Sequence, residues 1–121
     1  MARMAFFLYP LLCVFPAFAQ TLPLTFEPNL GQAPAGISFL CRGNGYGVFL
    51  QPAGAVLALH SGGRQALVTM RFAGANPHAP GLGARPAQTR SHYFTGSDPQ
   101  HWRTNVPHFE QVRFSRVYPG I

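Results

Sequence analysis

The chain has 121 residues, no lysine, nine arginines against three acids and two cysteines, for a formal net charge of +6. That length suits one small domain with a single core and excludes a second. Three acids leave little material for paired-carboxylate catalysis, and two cysteines cannot build a disulfide framework.

Residues 1–19 read as an export signal: a positive charge at Arg3, an apolar run from Met4 to Phe18, and Ala17-Phe18-Ala19 as a small-x-small cleavage site before Gln20. The run is about 15 residues, short of the roughly 20 that a spanning helix needs, and Pro10 and Pro16 interrupt it. A lipoprotein reading with acylated Cys13 is disfavoured, because Leu12 is not the small residue expected before such a cysteine. The mature chain, residues 20–121, is therefore expected to carry no transmembrane helix and to be secreted or held in the cell envelope. It keeps only Cys41, which has no partner within the chain and reads as a buried small hydrophobe. Eight arginines against Glu27, Asp98 and Glu110 leave it at +5. Those arginines stand singly from Arg42 to Arg116 with no binding motif, so nucleic acid is not the expected partner. An acidic envelope polysaccharide fits the charge better, and dispersed solubilising charge is the plainest reading.

From Ile37 onward, apolar residues alternate in short runs bounded by Gly, Pro, Asn and Ser, which predicts strands. Ile37–Arg42 leads through Gly43-Asn44-Gly45 into Tyr46–Gln51; Pro52-Ala53-Gly54 turns into Ala55–His60; Ser61-Gly62-Gly63 turns into Gln65–Phe72. This four-strand meander, with turns every 8 to 12 residues, predicts an all-β, antiparallel, sandwich-like domain. Gly74–Thr89, with Pro77, Pro80 and Pro86, reads as a long surface loop without a ladder. Strand character resumes at His92–Phe94 and again at Phe109–Val117. Between them Asp98 is placed to cap a short helical turn running to Trp102.

Most motifs that resemble chemistry dissolve on inspection. Gly43-Asn44-Gly45-Tyr46-Gly47 is followed by strand rather than helix, so it reads as a hairpin turn and not a phosphate loop. His60, His78, His92, His101 and His108 lack metal-ligand spacing, and no cofactor is implied. Glu27 precedes Pro28 in an expected turn, Asp98 reads as a cap, and Glu110 lies on a strand beside Arg113. No pair of them is a candidate for catalysis unless folding gathers two in one cleft. No nucleophile motif is present, so no catalytic residue is assigned. The one constellation kept as a candidate ligand-binding site is Tyr93, Trp102, Arg103, Asn105 and His108, since aromatic faces beside Arg and Asn suit a sugar. The competing reading has Trp102 plugging the end of the sandwich while Arg103 and Asn105 satisfy turn carbonyls.

Several strings occur in a fixed order: Phe26-Glu27-Pro28-Asn29-Leu30-Gly31-Gln32, Phe39 through Tyr46, Phe49-Leu50-Gln51-Pro52, Ala55-Val56-Leu57, Gly74-Ala75-Asn76-Pro77, Tyr93 through Pro99, and Trp102 through Pro107. Together they resemble the domain of unknown function at the N-terminus of large secreted bacterial proteins that carry β-propeller (SBBP) repeats. That family has no settled activity. The resemblance implies a non-catalytic exported structural or interaction module, with downstream propeller repeats of the same full-length protein as its partners. The family pattern continues past Pro119-Gly120-Ile121, so the chain reads as truncated, the N-terminal part of a larger domain with Phe109–Val117 left as an unpaired edge. The alternative is a carbohydrate-binding module that uses Trp102 and its polar neighbours.

Overall fold

The computed structural model describes residues 24–121, so the export signal assigned to residues 1–19 lies outside the described residues. In chain order the strands are β1 (Glu27–Pro28), β2 (Phe39–Gly43), β3 (Tyr46–Gln51), β4 (Gly54–Ser61), β5 (Arg64–Arg71), β6 (Gly81–Tyr93) and β7 (Arg103–Phe114). One 3-10 turn, Pro99–His101, precedes β7. Strands β1 to β5 form an antiparallel sheet in sequence order, and β6 pairs with β7 in a separate ribbon. The protein is thus nearly all β and antiparallel, as the alternation predicts.

The meander follows its turn residues closely. Gly45, with φ of 80°, makes the β2–β3 turn, and Gly62 and Gly63, at 54° and 77°, make the β4–β5 turn; only glycine takes such angles without strain. Opposed residues of an antiparallel ladder share a face. Phe39, Leu50, Ala55 and Met70 therefore line one side of the sheet, and Leu40, Phe49, Val56 and Thr69 the other. The sequence places Asp98 as a cap, and its carboxylate accepts a hydrogen bond from the Gln100 amide at 3.0 Å, with Trp102 closing the turn.

Outside its strands, β1 touches β7 through one reciprocal bridge. The Phe26 amide donates to the Phe109 carbonyl at 2.7 Å, and the Phe109 amide donates back at 2.8 Å. This bridge stitches the ribbon to the sheet, so that hydrogen bonding runs from β6 through to β5. The layer curls, because a Cβ placed on Gly81 of β6 would lie 3.2 Å from the Phe39 ring on β2. Phe39 packs edge-to-face on Phe109 at 6.5 Å between centroids. Leu40 and Val106 are fully buried, with Phe39 and Cys41 beside them in the core. Gly83 is required here for space, since a Cβ would fall 2.5 Å from the Phe109 ring.

Two expectations are corrected. Gly74–Thr89 is not a ladder-free loop, because β6 begins at Gly81 and pairs with β7 from Phe114 back to Arg103. Proline is tolerated at position 86 for a geometric reason. Phe109, opposite Pro86, spends both of its backbone groups on Phe26, so the missing Pro86 donor lies on the outer edge of the ribbon. The second correction is partial: Phe109–Phe114 is strand β7 with β6 alongside and Phe26 bonded at Phe109, while its outer side beyond that bridge has no ladder partner among the described residues.

The fully buried Leu40 and the 72%-exposed Leu67 sit at opposite ends of the packing scale. Leu40→Ala is expected to lower the unfolding free energy by about 2–5 kcal/mol, and Leu67→Ala to change it by less than about 0.5 kcal/mol, as read from urea midpoints.

Candidate functional site

The Phe26–Phe109 bridge sets the register that builds the site. Continuing that antiparallel pairing one step places Glu27 opposite His108, and neighbours in a strand point to opposite faces. The two phenylalanines thus turn toward one side while the acid and the imidazole turn together toward the other. Strand β6 adds Ser91 and Tyr93, and the segment before β1 adds Thr25.

These side chains form a relay of hydrogen bonds. A carboxylate only accepts, so the His108 Nε2 that lies 3.2 Å from Glu27 Oε1 carries a hydrogen. That nitrogen also faces Ser91 Oγ at 2.6 Å, while the Thr25 hydroxyl is hydrogen-bonded with Nδ1 at 2.8 Å. Tyr93 shares its proton between the two Glu27 oxygens at 2.7 and 2.6 Å. Glu27 is only 4% exposed. A buried carboxylate at that depth is tolerable only with donors arranged around it.

Burial, the hydrogen bond to Glu27 and the charge of Glu27 together push the Tyr93 hydroxyl up to about 12, against a smaller downward pull from Arg42 and Ser91. The Arg42 guanidinium lies 5.7 Å from the centre of the Tyr93 ring. Burial also pushes the Cys41 thiol up; a backbone hydrogen bond at Thr25 opposes this and the Glu27 charge adds to it. Cys41 is thereby held as a thiol rather than as the nucleophilic thiolate.

A cleft of about 890 Å³ opens over this cluster, with Arg42, Asn44, Tyr46, Thr89 and Glu110 around it. Among the described residues, no three His, Cys, Asp or Glu side chains are gathered to hold a metal ion. Glu27 lies in β1 rather than in a turn, and it shares the cleft with Glu110. Sharing a cleft is what a hydrolase would need of two acids. Here, however, both Glu27 oxygens are engaged, and Glu110 faces Arg85 at 3.5 Å in solvent. Nor is there a serine triad: the carboxylate and Ser91 meet the same imidazole nitrogen, and a hydroxyl occupies the nitrogen that a triad reserves for its acid.

Of the five residues that the sequence singles out, Tyr93 and His108 meet at Glu27. The other three have different partners. Trp102 donates from Nε1 to the Gly96 carbonyl at 3.0 Å and packs edge-to-face on Phe94 at 5.2 Å. Arg103 donates to the carbonyls of Leu30, Gln100 and Trp102. Asn105 takes a left-handed φ of 58°, and its amide donates to His92 Nδ1. Glu27, Ser91, Thr25 and Arg42 are missing from the sequence-derived set. The one available signal is Glu27 itself, a lone acid at the start of an apolar strand pattern.

Residues 26–121 match the family described as a domain of unknown function (DUF7948), and the chain belongs to that family. No curated protein and no solved structure gives a significant match.

The site yields a prediction with a defined sign. The unfolded tyrosine releases its proton near 10 and the folded Tyr93 near 12, so the folded state binds the extra proton between them. This stabilisation is complete below pH 10 and is lost as pH rises from 10 toward 12. Tyr93→Phe is expected to cost about 1–3 kcal/mol near neutral pH by leaving Glu27 short of a donor. It should also show a shallower loss of stability between pH 10 and 12, measured by urea unfolding of both proteins across that range.

Proposed function

We propose that this DUF7948 protein is a non-catalytic, exported structural or interaction module that leads a larger envelope or extracellular protein with β-propeller repeats. The observation that carries the non-catalytic reading is the closure of its most buried polar cluster. Thr25, Glu27, Ser91, Tyr93 and His108 spend their hydrogen bonds on one another, which supports a seam lock rather than a reactive centre. The charge and apolar pattern of residues 1–19 supports export, and the ordered strings from Phe26 to Pro107 support the propeller-repeat context. The test is expression of the tagged full-length gene in its native host, followed by fractionation. The expected product is found in the envelope or the medium and carries propeller repeats beyond Ile121; cytoplasmic recovery, or a different downstream architecture, overturns the reading.

A second reading is binding of a carbohydrate, including an acidic envelope polysaccharide. It is favoured by the cleft, whose rim combines the Tyr46 ring, the Arg42 cation and the Asn44 and Glu110 polar groups. The exposed Phe94 against Trp102 is the other aromatic surface that could take a sugar face. Affinity electrophoresis in gels cast with an acidic polysaccharide separates the two. Retardation lost in Tyr46→Ala assigns the cleft, loss in Trp102→Ala assigns the Trp102 surface, and no retardation of the wild type removes this reading.

A further inference from the structure

Among the described residues the edges of β5 and β6 lie open along their length, β7 being tied on its outer side at Phe109 alone, and β5 and β6 are built differently. The β6 edge is blunted. Pro86 has no donor to offer outward, Arg85 takes a left-handed φ of 57°, and the register slips between Pro86 and Arg90. Strand β5 has none of these defences. It pairs with β4 at every position from Arg64 to Arg71, contains no proline and no bulge, and is exposed along all eight residues. Leu67, Val68 and Met70 are 72%, 53% and 56% exposed, so both faces of the strand offer apolar surface.

The phase of the open edge follows from one hydrogen bond. The Phe72 amide donates to the Ala53 carbonyl at 2.9 Å, so alternation places Met70, Val68 and Ala66 in the pairs bonded to β4. Gln65, Leu67, Thr69 and Arg71 therefore turn their backbone donors and acceptors outward. A regular row of such groups is a template for an added strand.

Charge selects the occupant. Arg64 and Arg71 bracket the strand, and neither β4 nor β5 contains an acid. A second copy pairing antiparallel through these outward groups, centred on Val68, brings Arg71 of one chain to the same end of the ladder as Arg64 of the other. Both ends then gather positive charge without compensation, between two domains that each carry +5 over residues 20–121. A strand with acidic ends meets the opposite situation. We propose that β5 is a docking edge for an extended protein segment of about eight residues, apolar and β-branched in its middle and acidic at both ends, bound by strand addition. The proposal rests on the interaction-module reading and gives it a site and a partner class.

The probe is a fluorescein-labelled synthetic peptide, Glu-Thr-Val-Thr-Val-Thr-Val-Glu, titrated with the full chain at low salt and read by fluorescence anisotropy. It is expected to bind at least about 10-fold more tightly than the same peptide with lysine at both ends. Leu67→Pro removes an outward donor without touching a β4 hydrogen bond, and it should abolish binding while the circular dichroism spectrum is kept. Should that variant fail to fold, the double substitution Arg64→Glu and Arg71→Glu should reverse the preference toward the lysine-ended peptide. Equal binding of the two peptides, no binding, or self-association of the chain that Leu67→Pro abolishes would each overturn the proposal. None of these results touches the export and non-catalytic reading, which the fractionation experiment tests separately.

Discussion

Two backbone hydrogen bonds between Phe26 and Phe109 organise this molecule. Without them the five-stranded meander and the β6–β7 ribbon would be separate pieces, each too thin to bury a core. With them, Phe39 meets Phe109 on one face of the layer and Glu27 meets His108 on the other. The buried carboxylate then reinforces the bridge that put it there, because its donors come from both pieces. Tyr93 and His108 belong to the ribbon, whereas Glu27 belongs to the sheet. Pulling the two apart would leave a desolvated acid without partners, a change more costly than the loss of either backbone bond alone.

The meander was fully legible because its signals are local. Alternating apolar residues and positive-φ glycines at the turns fix strand and register within a few positions of one another. The cap at Asp98 was legible for the same reason. The ribbon was not, because three prolines in GANPHAPGLGARP argue against pairing unless the direction of the missing donor is known, and that direction depends on Phe26, some sixty residues upstream. The polar cluster was half legible. Tyr93 and His108 stood out as residue types, but Trp102, Arg103 and Asn105 drew attention by proximity in sequence and bond to the Gly96 carbonyl, the Leu30 carbonyl and the His92 ring instead. Glu27 escaped notice because an acid before a proline reads as a turn. Its burial is a tertiary fact.

On the reading proposed above, function in this fold is a matter of surface rather than reactivity. The cluster under the cleft is satisfied from within, so what remains to be offered outward is the rim of the cleft and the edge of β5. Those two features differ in kind. The rim presents side chains of mixed polarity suited to hydroxyl-rich molecules, whereas β5 presents backbone groups of the kind that can pair with another strand, with an arginine at each end.

The span of the Phe26–Phe109 contact also sets an order of assembly. The hairpins of the meander join residues close in the chain and form early, whereas this contact closes a loop of more than eighty residues and comes late. On that order, Glu27 and Tyr93 would keep their water until the two pieces meet. A chain threaded through a translocation pore from its N-terminus could not complete that step until Phe109 had emerged, so nearly the whole polypeptide would stay pliable for the length of its passage.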